Sequence, residues 1–387
     1  MDTKKFEYFC SRVAAGIGIL ILGVLSLYSL FYTEEFTANR TEELELVKDP
    51  VVLSLLSMAV VIFLLFYAAK IILKDEAHRK RNTRILLVFS CAYVGIFGFI
   101  WAFLCHYHMM WDGEMISFFG NQFANGINDI SAHDIDYITS YTQQLGIISV
   151  LETLYRIAGW ENYRMFQALN AVAASCLVLT GYKLTREISG REETGVYFLL
   201  LILGCWPLII YVPFIYGEVL SILFSMLSIY TMLLYLRKQR KRDILYMALA
   251  IAAACLIRSN CYIVLAAMAC VLVVKAIGDK KIRHVLALFC CIAVYFVGHM
   301  GLIKVYENRL GVDLRHPMPS ILWVAMATQE GEDGKEAGWY NGLAWDLFVD
   351  EAGRDQEVAT EMAKEVIAES MERFKGDPDY MLDFYKR

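Results

Sequence analysis

The chain has 387 residues, 58% of them hydrophobic and 20% charged, with a net charge of -5 and a mean hydropathy of +0.45. These values are too apolar for a soluble protein of this length, and no nucleic-acid partner is expected. Apolar runs of 18 or more residues recur, each able to cross a hydrocarbon core of about 30 Å. The expected fold is all-α, a polytopic transmembrane helical bundle.

Lys4, Lys5 and Arg12 precede the first apolar run, which places the N-terminus in the cytoplasm by the positive-inside rule. That run, 13–32, is too long for the core of a signal peptide and has no small-residue cleavage site after it. It leads to an acidic external loop, "TEEFTANRTEELELVKDP". A second span, 51–73, returns to "KDEAHRKRNTR", the strongest inside marker in this part of the chain. The third span, 85–105, leads out again, and "MWDGE" (110–114) opens on the outer face. From His106 to Gly146 there is no Lys or Arg, as suits an external loop.

Downstream, "LRKQRKR" (236–242) and "KAIGDKKIRH" (275–284) read as inside. Residues 143 and 237 are then on opposite sides, so an odd number of crossings separates them. Four apolar stretches lie between: 145–159, 166–183, 193–211 and 218–236. The shortest, 145–159, carries Glu152 and Arg156 and is read as an interfacial or re-entrant helix. "YVPFIYGE" (211–218) then shares the outer face with Asp112. Two short spans follow, hinged at Arg258-Ser259-Asn260, and 284–304 exits once more. About nine spans are expected. "DQEVATEMAKEVIAESMERF" in the external C-terminal part reads as an amphipathic surface helix.

The parts are therefore a two-span hairpin (1–84), a transmembrane module (85–304) and an extracytoplasmic C-terminal segment (305–387). The cysteines lie mostly inside apolar runs, without CxxC pairs, and read as small core hydrophobes.

Chemistry-bearing residues collect on the outer face. Asp112 and Glu114 follow a span directly; solvated loop carboxylates are the plain reading, and a general base for an attacking hydroxyl is the functional one. Glu218 opens an apolar helix, where an acidic residue either complements the helix dipole or marks a site. Pro207 and Pro213 before it are expected to break the helix and open a cavity. Arg258 at the hinge either snorkels to the interface or binds phosphate through its guanidinium, with Asn260 assisting. "RHPMPSILWVAMATQEGEDGKEAGWYNGLAWDLF" (315–348) brings Arg315, His316 and three tryptophans, which suits a sugar ring, a lid or a structural cap. His106, His108 and Asp112 do not have the spacing of a recognised metal site, so no metal ligand is assigned and no cofactor is certain; a divalent metal stays open.

The span into Asp112, the stretch "YITSYTQQLGIISVLETLYRIAGWENYRMFQALN" and then "FIYGEVL" resemble the GT-C membrane glycosyltransferases. The likeness is nearest to family-39-like enzymes of Gram-positive bacteria, relatives of protein O-mannosyltransferases and aminoarabinose transferases. "HPMPSILWVAMATQEGEDGKEAGWYN" is similar to a stretch of the same group. The resemblance covers roughly 85–345, and relatives continue into further spans, so the C-terminal segment reads as truncated. It implies a GT-C bundle with juxtamembrane helices in the long external loop, located in the plasma membrane. The implied reaction is inverting transfer of a sugar from a polyprenyl-phosphate donor to a hydroxyl of an envelope glycan, lipid or protein, of hexosyl- or mannosyltransferase type. Asp112, Glu114 and Glu218 are the implied catalytic groups. Arg258, Asn260, Tyr141, Gln143, Gln144, Tyr216, Arg315 and His316 are the implied substrate contacts. The alternatives are a transporter or flippase for a lipid-linked or anionic solute, which would place its charges near the midplane, and a non-enzymatic scaffold.

Overall fold

The computed structural model describes residues 3–36, 44–74, 76–107, 109–159, 162–330 and 340–385. In chain order its elements are α1 (Thr3–Phe31), β1 (Tyr32–Phe36), β2 (Leu44–Lys48), α2 (Val51–Leu73), α3 (Arg79–Leu104), α4 (Asp112–Ala124), α5 (Ala132–Ser140) and α6 (Leu145–Ala158). Then come α7 (Tyr163–Ser189), α8 (Glu192–Ile202), α9 (Trp206–Ile210), α10 (Glu218–Lys238), α11 (Lys241–Ile257), α12 (Tyr262–Asp279) and α13 (Arg283–Leu310). The C-terminal part holds α14 (Ile321–Met326), α15 (Leu343–Trp345), α16 (Gln356–Gly376) and α17 (Pro378–Phe384).

Among the described residues, seven helices are long and apolar enough to cross a membrane: α1, α2, α3, α7, α10, α12 with its preceding turn, and α13. The fold is the expected all-α polytopic bundle. The difference from nine has a local cause. α11 has 17 residues, and the run 193–211 is not one helix but an 11-residue α8 and a 5-residue α9, broken at Leu203–Cys205. The acidic loop after α1 carries an antiparallel β-hairpin, β1 against β2, with Tyr32 opposite Lys48 and Phe36 opposite Leu44.

The chain forms two compact units. The first comprises Met1–Ile21, Leu56–Asp129 and Gln143–Leu310. α1 and α2 leave nearly all their apolar side chains exposed, as a helix facing lipid does. α7 is the reverse, with most of its central stretch buried, and it packs against α3, α8 and α10. α10, α11, α12 and α13 enclose a core around Tyr235, Met247, Ile251, Cys255, Leu272 and Cys291. Small residues let helices approach closely, as in other membrane bundles. A Cβ on Gly98 would stand 2.8 Å from Val212 Cγ2, and one on Gly120 would stand 2.8 Å from Leu151 Cβ.

α6, expected as an interfacial or re-entrant helix, is strongly buried along one side, with Glu152 among the buried residues. Its carboxylate accepts from Tyr306 Oη at 2.7 Å, from Arg309 Nη1 at 2.8 and 2.9 Å, and from Arg156 Nη2 at 2.8 Å. Arg156 also donates to the Phe123 carbonyl at 2.9 Å, so one acidic residue ties α6 to α13 and, through Arg156, to α4. Burial raises the Glu152 carboxyl, but the bonds from Tyr306, Arg309 and Arg156 outweigh it and hold the group below its ordinary value.

The second unit comprises Leu22–Leu55, Ile130–Thr142 and Gly311–Arg387. The amphipathic helix expected near the C-terminus is α16. Asp355 caps its N-terminus, accepting from the amides of Glu357 and Val358. Ala359, Ala363, Ser370 and Phe374 form its buried face, and Ser370 Oγ accepts from Gln329 Nε2 at 2.7 Å. The Met318 amide donates to the Ser140 carbonyl at 3.1 Å, and Arg354 pairs with Asp136.

Candidate functional site

The site is built in the first unit by three chain segments, each fixed for a separate local reason. The first is the entry to α4. Between α3 and α4 the backbone turns through His106 (φ 48) and Trp111 (φ 54, ψ -129). Such conformations cost an L-residue about 1–3 kcal/mol and persist where the surroundings dictate them. They set Asp112 at the first turn of α4, where the helix dipole favours a carboxylate. Trp111 is 80% exposed, an aromatic suited to the membrane–water boundary.

The second segment is the irregular stretch between α9 and α10. With the helix broken here, carbonyls lose their helical partners. Two buried amides on α7 replace them. Asn170 Nδ2 donates to the carbonyls of Val212 (3.0 Å) and Phe214 (2.9 Å), and Gln167 Nε2 donates to that of Pro213 (3.0 Å). Gly217 then turns the chain with φ +90, a conformation natural only to glycine, and a Cβ there would also press to 2.6 Å from Ile257 Cγ2. α10 begins at Glu218.

The third segment is the break between α11 and α12. Arg258 takes extended backbone there, and its side chain turns back to the second segment. Nη1 pairs with Glu218 Oε1 at 3.3 Å and donates to the Tyr216 carbonyl at 3.4 Å. The guanidinium carbon lies 4.1 Å from the Tyr216 ring centroid, a cation–π contact. Nη2 and Nε form no bond among the described residues.

Tyr216 joins the parts. Its hydroxyl donates to Asp112 Oδ2 at 2.7 Å and receives a bond from Gln144 Nε2 at 3.2 Å. Burial pushes the Tyr216 phenol well above its ordinary value, and the Asp112 charge and hydrogen bond push it further, so it stays a protonated donor. Burial likewise raises Tyr107, with a further push from Glu218 and a smaller opposing effect from the Ile215 backbone.

Of the residues singled out in the sequence, Asp112, Gln144, Tyr216, Glu218 and Arg258 therefore meet in one cluster. Glu218 Oε2 is buried without a hydrogen-bond partner among the described residues. Glu114 lies two residues beyond Asp112, about 200° around the helix, and is exposed. Gln143 is half-buried and Asn260 exposed, and neither bonds to the cluster. Tyr141, Arg315 and His316 belong to the second unit. Tyr141 is buried and stacks on Trp345 with centroids 6.0 Å apart, Arg315 bonds Asp313 at 3.0 Å, and His316 Nδ1 meets Gln356 Oε1 at 3.4 Å. His108 and the glycine-rich 331–339 lie outside the described residues. No group of three His, Cys, Asp or Glu side chains among the described residues is arranged to hold a metal ion.

Sequence reasoning passed over Gln167 and Asn170. The available signal was two amides three residues apart on a helix otherwise apolar enough to span, because such amides need a backbone partner inside the bundle. The segment around Pro213 is irregular, and these amides hold its carbonyls. Surface cavities of about 570 and 250 Å³ lie at the other end of α7, lined by charged residues such as Lys183, Arg186, Arg191 and Glu193. They include none of the cluster.

Residues 150–301 match the family model described as dolichyl-phosphate-mannose-protein mannosyltransferase. The match runs from α6 into α13 and includes Tyr216, Glu218 and Arg258, while Asp112 and Gln144 precede it. The likeness extends over 152 of the 387 residues. No curated protein and no solved structure gives a significant match.

Proposed function

We propose that this chain is an inverting glycosyltransferase that moves a sugar from a polyprenyl-phosphate donor to an acceptor hydroxyl at the outer face of the plasma membrane. The observation that carries the reading is the meeting of Asp112, Glu218 and Arg258 around Tyr216, with a carboxylate at one end of the cluster and a guanidinium at the other.

In the reaction, the acceptor oxygen bonds to the anomeric carbon as the bond from that carbon to the phosphate oxygen breaks. The acceptor proton passes to the Asp112 carboxylate, and the electron pair of the breaking bond goes to the lipid phosphate. Attack from the face opposite the phosphate inverts the anomeric centre. Arg258 has guanidinium donors beyond those used on Glu218 and Tyr216, and these meet the growing phosphate charge in the manner of an electrostatic clamp. The buried, unpartnered Oε2 of Glu218 accepts from a hydroxyl of the sugar or the acceptor. The aliphatic surface of the bundle receives the polyprenyl tail.

The test is sugar transfer by purified protein from a panel of polyprenyl-phosphate sugars to glycan, lipid and peptide acceptors. Asp112→Asn keeps the size of the side chain and removes the proton acceptor; it is expected to abolish turnover while leaving folding and donor binding intact. Wild-type turnover in that variant would remove Asp112 from the role of base.

A further inference from the structure

Tyr216 lies between the two ends of the reaction and engages each through a different part of one rigid side chain. The hydroxyl donates to Asp112 Oδ2 at 2.7 Å, while the face of the ring lies 4.1 Å from the guanidinium carbon of Arg258. Tyr216 is one contact of each partner, and Arg258 also pairs with Glu218 at 3.3 Å. Asp112 is the first residue of its helix, next to the strained Trp111, and Arg258 sits where α11 has ended and α12 has not begun. Gln144 steadies the hydroxyl from the side at 3.2 Å, and the Tyr216 carbonyl gives Arg258 a further contact at 3.4 Å.

From this geometry we infer that Tyr216 is a positioning residue that holds base and cation in one register, its hydroxyl aiming the Asp112 carboxylate and its ring seating the Arg258 guanidinium. The inference rests on the proposed transferase reading and extends it. A phenyl ring does not bend, so the spacing between the proton acceptor and the phosphate contact is set by the ring itself. The hydroxyl serves only the acceptor side; the ring face serves only the phosphate side. The two halves of the side chain are therefore separable by substitution.

Tyr216→Phe keeps the ring and removes the hydroxyl. It is expected to lower kcat about tenfold or more, the scale of one hydrogen bond to a charged group, with donor KM unchanged. Tyr216→Leu removes both halves, and should in addition weaken donor binding about fivefold, the scale of a partly buried cation–π contact. Binding is measured directly with polyprenyl monophosphate in detergent micelles, a readout that needs no turnover: Leu weakens it and Phe does not. A merely structural role would move kcat, KM and thermal stability together in both variants. Should Tyr216→Phe fail to fold, Gln144→Leu removes the donor to the hydroxyl and is expected to lower kcat about threefold without moving KM. Wild-type kcat in Tyr216→Phe (or in Gln144→Leu where that stands in), or equal phosphate binding by the Phe and Leu variants, overturns the inference. No transfer from any donor by the wild-type chain overturns the transferase reading instead, and the two failures are told apart by whether the wild-type chain transfers at all and by the binding measurement.

Discussion

A Cβ on Gly146 would stand 1.8 Å from the carbonyl oxygen of Leu256 and 2.4 Å from its carbonyl carbon, so the first turn of α6 rests directly on the last turn of α11. Gln144 lies two residues before one side of this contact and Arg258 two residues after the other. The close approach therefore sets the spacing of two groups that both reach Tyr216. Backbone cannot yield as a side chain does, and Gly146→Ala is expected to cost about 1–3 kcal/mol of stability. Thermal unfolding in detergent should show the loss, and transfer activity should fall further than the stability change alone explains.

Asn170 satisfies two carbonyls, those of Val212 and Phe214, from inside the bundle. Asn170→Leu keeps the branched shape and strands both acceptors in apolar surroundings, at about 1–3 kcal/mol for each group left unpaired. The variant should melt lower and, because the 211–217 segment carries Tyr216, should also lose donor binding. Unchanged binding of polyprenyl monophosphate would mean that the segment keeps its form without this amide.

Glu152 predicts a pH effect whose sign follows from its lowered value in the folded chain. A carboxyl lowered on folding contributes stability in full above its ordinary value of 4.5, and that contribution is lost as pH falls below this, through the lowered folded value. Glu152→Gln should therefore destabilise at neutral pH, by about 3 kcal/mol as for breaking a buried pair, and flatten the acid limb of the melting profile. An unchanged acid limb would show that other carboxylates produce it.

Asp112 and Glu114 are two residues apart, but only Asp112 faces Tyr216. The proposed base is thus Asp112 alone, and Glu114→Gln is expected to keep transfer within about twofold of wild type while Asp112→Asn does not. Equal loss in both would return Glu114 to the catalytic set assigned from the sequence.

The orientation is read by charge and is tested by labelling single cysteines in a background without the native ones. Glu114→Cys should react with an impermeant thiol reagent added outside intact cells, and Lys238→Cys only after the cells are opened. Labelling of position 114 from the cytoplasmic side alone would reverse the proposed topology.

The sequence by itself determined the solvent in which this protein folds. Runs such as 51–73 can satisfy their backbone only as helices in a bilayer, and that follows from length and hydropathy without any long-range contact. It also marked Asp112, Glu218 and Arg258, because charges beside apolar runs are expensive and hence visible. Three-dimensional packing decided what one-dimensional patterns do not encode. Whether the chain can stay irregular over 212–214, between α9 and α10, depends on Gln167 and Asn170 being there to take its free carbonyls. That Glu152 can be buried depends on Tyr306 and Arg309, which come from a helix far along the chain. The meeting of Asp112 with Tyr216 is of the same kind: a hydrogen bond between residues 104 positions apart forms only after α4, α7 and α10 have packed, and no local pattern records it.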